Sequence, residues 1–185
     1  MSKFEYLSVL VSIVVALGIS EVTITWSRTL QLRERVTFSW LHSFWTLFAL
    51  FLMVQFWWGF WNFRLVESWS LLSLLAVLVA VITLVLAALL LAPRGAEAGP
   101  LDLSELFFAN SRPFFILLAA LVLQFSVVDT LVAGKPVATL ENAFRLPGVA
   151  IALFAAYSRS PGVHRGIAIV AMVLLVGFLA TAIYF

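Results

Sequence analysis

The stretch FEYLSVLVSIVVALGISEVTITWSR, Phe4 to Arg28, decides the fold. It is longer than the about 20 residues a helix needs to cross the hydrocarbon core of a bilayer, yet it is not uniformly apolar. At about 100° per residue, Ser8, Ser12, Ala16, Ser20, Thr23 and Ser27 all fall within about 60° of Glu5, so one face is small and hydroxylated from end to end. Small residues at four-residue spacing let a second helix approach closely, and their hydroxyls can bond across the contact. The segment therefore reads as a membrane helix inside a bundle, with Ser8, Ser12, Ala16 and Ser20 as packing residues. Lys3 before an apolar run imitates a signal peptide, but Glu5 within the run and the lack of an A-x-A site predict that it is retained.

The remaining sequence extends the same pattern. Of 185 residues, 64% are hydrophobic and 11% charged, and the mean hydropathy is +1.12. Long apolar runs recur along the chain, which predicts an all-α, polytopic transmembrane bundle forming a single domain over residues 1–185. Six spans are expected, at about 4–28, 38–63, 69–92, 113–133, 139–158 and 165–183. A short interfacial helix is expected at about 103–111, because Asp102 followed by Glu105 resembles a capping-box start and Pro113 should restart the chain into the fourth span. The third span has only Ser73 and Thr83 as polar residues and reads as the helix most exposed to lipid. In the second, Trp40 and Trp45 near one end and Trp57, Trp58 and Trp61 near the other read as two aromatic belts. The fifth is the weakest, since its apolar run is about 12 residues and it must take in Glu141, Asn142 and Arg145 to reach across.

Six spans place the loops carrying Arg28, Arg33, Arg35, Arg94, Arg112, Arg159 and Arg165 on one side. Lys3, Arg64 and Lys135 fall on the other. The positive-inside rule makes the arginine-rich side cytoplasmic, with both termini outside. The basic residues form no cluster, so the net charge of +2 and the pI near 9.4 point to membrane orientation and not to nucleic acid. Cysteine is absent, which excludes disulfides and thiolate chemistry.

On this topology Glu5, Gln55, Asn62, Asp129, Glu141, Asn142 and Arg145 converge in the outer third from four helices. Charges at membrane depth are costly and are usually paired or line a wet cavity, so these residues form a candidate ion- or solute-binding chamber, with a structural polar network as the competing reading. On the fifth helix Glu141, Arg145, Gly148, Ala152, Ala155, Ala156 and Arg159 share a face, with Gly148, Ala152 and Ala156 as packing residues. That groove is expected to take the serine face of the first helix, placing Arg145 between Glu5 and Glu141. Glu21 lies off the serine face, and His42 is its candidate partner. His42 and His164 make no metal signature, and neither a metal nor another cofactor is expected. Hydrolase, zinc-protease and phosphate-loop motifs are missing, so an enzyme ranks third. A channel or transporter for a small ion or solute comes first, and a non-catalytic membrane subunit or assembly partner second. The expected partners are the bilayer and either further copies of the chain or another membrane protein.

The opening F-E-Y-L-S-V-L-V-S-I-V-x-x-L-G-I (Phe4 to Ile19) and the run V-Q-F-W-W (Val54 to Trp58) resemble small, uncharacterised bacterial inner-membrane proteins of similar length. The resemblance implies an inner-membrane location and carries no activity.

Overall fold

The computed structural model describes the chain except residues 1, 2, 67, 94–98 and 183–185, and except the side chains of 141, 144 and 178–182. Six helices follow one another: α1 Lys3–Gln31, α2 Trp40–Phe60, α3 Leu71–Leu91, α4 Leu103–Ala133, α5 Leu140–Tyr157 and α6 Pro161–Ala182. A 3-10 segment, Trp61–Leu65, prolongs α2. The all-α class is as expected, and six helices lie near the six expected spans. Among the described residues, four helices are long and apolar enough to cross a membrane: Lys3–Gln31, Trp40–Leu65, Leu71–Leu91 and Leu103–Ala133. Within the described residues the apolar stretches of α5 and α6 are Arg145–Tyr157 and Pro161–Gly177. Four apolar helices give the chain the character of an integral membrane protein.

The expected interfacial helix and fourth span are one helix, α4, with Pro113 inside it. It starts where predicted, because Asp102 Oδ1 accepts from the amides of Ser104 (2.6 Å) and Glu105 (3.3 Å). Pro113 supplies no N–H to the turn before it. In that region Asn110 and Ser111 donate to the carbonyls of Leu106 and Phe108. The far end of α4 stops at Gly134, whose φ of 65° lets its amide return to the Asp129 carbonyl.

At the opposite end from Gly134, two short strands pair in parallel: β1, Val36–Thr37, and β2, Leu101–Asp102. Val36 lies beside Leu101 and Thr37 beside Asp102, so the α1–α2 and α3–α4 connections meet at one end, here called the ladder end. Part of the loop composition noted in the sequence, residues 94–98, lies outside the described residues.

The third helix is the reverse of what its composition suggested. It packs against α1, α2 and α4, and Val77, Ala80, Val81, Leu84, Ala87, Ala88 and Leu91 are buried along it. A helix apolar all round belongs in the middle of a bundle, and its alanines let three neighbours approach. Both polar residues serve α4: Ser73 Oγ donates to the Leu131 carbonyl (2.9 Å), and Gln124 donates to Thr83 Oγ1 (3.1 Å). The aromatic belts need one correction, since Trp45 is buried among Phe44, Phe48, Phe114 and Phe115 while Trp40, Trp57, Trp58 and Trp61 stay exposed.

The expected union of α1 with α5 does not form. The main neighbours of α1 are α3 and α2, and those of α5 are α4 and α6. The buried stripe of α1 is Phe4, Leu7, Val11, Val15, Gly18, Val22, Thr25 and Thr29. Its closest approach is at Gly18, where a Cβ would lie 2.7 Å from Val85 Cγ2 of α3 and 3.2 Å from Met53 Cε of α2. Of the serine face, Ala16 and Ser20 are exposed, and Ser12 accepts from Trp57 Nε1 at 2.9 Å. Ser8 and Thr23 donate to carbonyls of their own helix, so these hydroxyls need no neighbour. On α5, Ala152 and Ala156 are buried, while Gly148 is exposed with nothing within 4 Å of a Cβ placed there.

Candidate functional site

The site is built where α4 and α5 meet near the Gly134 turn. Thr139 caps α5 by accepting from the Asn142 amide (3.2 Å), which fixes the first turn and the two polar residues on it. One turn in, the Arg145 guanidinium reaches α4. Its Nη2 contacts Asp129 Oδ2 at 2.7 Å, and its Nη1 donates to Asn142 Oδ1 (2.7 Å) and Ser126 Oγ (3.3 Å). Ser126 Oγ donates in turn to Asn142 Oδ1 at 2.7 Å, and Asn142 Nδ2 donates to the Val137 carbonyl at 2.7 Å. The carboxylate and guanidinium side chains are 17% and 25% exposed, so the ion pair is shielded but not sealed. Charge-assisted bonds of this kind offset the desolvation of both ions, and removing one leaves the other expensive to keep.

Asp129 also borders a cavity of about 330 Å³ on the other side of α4. Gln55, Asn62 and Lys135 give it further polar atoms, and Phe56, Phe60, Phe63 and Phe125 form much of the apolar wall. Of the seven residues expected in the chamber, Gln55, Asn62 and Asp129 therefore line one space, and Asn142 and Arg145 stand directly behind it. Glu5 is exposed on α1 and does not line this cavity, and the described carboxylate that meets Arg145 is Asp129. The side chain of Glu141 lies outside the described residues.

Two residues escaped the sequence reading. Ser126 joins the network because it precedes Asp129 by three positions on α4 and so shares its face, a spacing visible in the sequence. Lys135 reaches the cavity through the Gly134 turn, which has no periodicity to read.

Away from the chamber, toward the ladder end, the bundle is closed by rings. His42 is turned not to Glu21 but to α3, where its Nε2 lies 2.7 Å from the carbonyl of Leu91, the last residue of that helix. Such a carbonyl lacks a helical donor, and a buried N–H supplies one. His164 repeats the device at the end of α5, with Nε2 3.0 Å from the Ser158 carbonyl and its ring among Phe107, Phe108 and Phe115. Both histidines are fully buried. Among the described residues no group of histidines and carboxylates is placed to hold a metal.

Compared with known proteins, the chain matches no family model, no curated protein and no solved structure.

Proposed function

We propose that this integral membrane protein is a transporter for a small solute bound in the cavity between α2 and α4, with Asp129 as its polar anchor. The observation that carries the reading is the Asp129–Arg145 pair placed against that cavity. An ion pair in a shielded position adds little stability over an apolar contact of the same size, whereas it can exchange one partner for a charged or hydrogen-bonding group of a ligand. The aromatic wall suits a solute with an apolar body, and Gln55 and Asn62 provide orienting hydrogen bonds. The packed rings around Trp45, Phe114 and Phe115 favour a site reached from one side over an open pore.

The test is flux in vesicles holding the purified protein, with proton- and ion-sensitive dyes and a panel of small carboxylates and amines. Asp129→Asn and Gln55→Ala should both lower the rate while leaving the protein folded. Flux indifferent to both substitutions, or no flux with any compound, would sink the proposal.

A subunit role is the second reading, and one observation favours it. Ser20, Thr23 and Ser27 are exposed along one side of α1, a polar face that a partner helix would cover better than lipid does. Stoichiometric recovery of another membrane protein with the intact chain, lost on substituting Ser20 and Thr23 by leucine, would promote it.

A further inference from the structure

Beside the first half of α4 and the end of α5 lies a cavity of about 610 Å³, lined among others by Ser111, Arg112, Tyr157, Ser158 and Arg159. Arg112 is held with its guanidinium carbon 5.0 Å from the centroid of the Tyr157 ring. Among the described residues, neither Arg112 nor Arg159 has a carboxylate partner. Arg112 comes from α4 and Arg159 from the α5–α6 connection, and both face one space, which is the arrangement that receives a phosphate.

Their depth decides the source of that phosphate. α4 is 31 residues long, about 46 Å, and exceeds the about 30 Å of hydrocarbon. The 20 residues Phe114 to Ala133 fill that thickness, which leaves Arg112 where acyl chains give way to headgroups. Arg159 is two residues beyond the end of α5, and Tyr157 is the kind of ring that settles at this level. The α5 terminus would repel an anion through its free carbonyls, but the Ser158 carbonyl is already taken by His164.

We propose that this cavity holds the phosphate headgroup of an anionic phospholipid from the leaflet at the ladder end. The site depends on the membrane location and not on the chamber, so absence of solute flux leaves it standing.

The experiment is native mass spectrometry of the full chain with phosphatidylglycerol or phosphatidylcholine, alongside melting curves in each lipid. A basic residue near an anionic surface is worth about fivefold, so the pair should give roughly a 30-fold preference for the anionic lipid. Arg112→Gln or Arg159→Gln should reduce this to about fivefold, and the double substitution should abolish it. Arg64→Gln at the other end, where that side chain lies over Trp61, should leave it unchanged. A preference that persists in the double variant overturns the assignment. Equal protection by millimolar inorganic phosphate without lipid would also overturn it, in favour of a free anion. If the double glutamine variant does not fold, the double lysine variant decides, since it must keep the preference.

Discussion

Asp129 and Arg145 meet at 2.7 Å across the α4–α5 contact, so removing either one strands the other. Arg145→Leu should cost about 2 kcal/mol, less than a fully buried pair because both side chains keep some water. Adding Asp129→Asn should recover part of that loss, whereas adding Glu5→Gln should recover none. A double-mutant cycle by chemical or thermal unfolding in detergent measures this, and strict additivity of the Asp129 and Arg145 changes would overturn the pairing. His42 makes a second test, because its Nε2–H is the donor to the Leu91 carbonyl. His42→Phe should lower stability by about 1–3 kcal/mol, and His42→Gln by less, if the lost bond is what matters. At this scale the sequence was informative about which residues are costly and poor on their partners. Asp129, Asn142 and Arg145 stood out as charge and amide in apolar segments. Which carboxylate meets Arg145 depends on how helices are ordered in the bundle, and no residue type records that order.

Among the elements, α3 and Gly18 hold the bundle together. Gly18→Val would push a branched side chain into Val85 and Met53, with an expected loss of about 1–3 kcal/mol. Gly148→Ala and Gly59→Ala meet nothing within 4 Å and should be neutral or slightly stabilising through helix propensity. Melting temperatures of the three variants in one detergent give the comparison, and equal shifts would show that α1 does not approach α3 this closely. Helix existence was legible, and so was the start of α4, as the cap Asp102 demonstrates. The neighbours were not. In lipid, leucines look alike whether they face acyl chains or another helix, so the lack of polarity in α3 could not separate the outermost helix from the central one. The serine face of α1 misled for a related reason, since a helix can satisfy hydroxyls internally and leave them facing outward.

For the whole molecule, the pairing of Val36–Thr37 with Leu101–Asp102 puts two connections at one end, and α4 carries the chain to the other. Reporter fusions at Glu34 and Lys135 should therefore give opposite signals. The same signal from both would mean that one of the long helices does not cross. Helical class, membrane character and a polar cluster away from the ladder end were all readable from hydropathy and charge. The number of crossings was less so, because α5 carries Asn142 and Arg145 in its first two turns and hydropathy alone does not decide what such a helix does.

The central position of α3 bears on the order in which the protein can be made. Synthesis runs from the N-terminus, so α1 and α2 are complete before their shared neighbour exists. The faces of α1 and α2 that pack on α3 must wait in the bilayer without the helix that covers them in the finished protein. A nascent chain halted after Leu65 is thus a half-assembled product with an open seam, the kind of surface that membrane quality-control proteases and insertion chaperones inspect. Release of α3 closes the seam from within, and arrival of α4 locks it through Ser73 and Gln124. The ribosome, more than the bilayer, would then set when this bundle becomes one body.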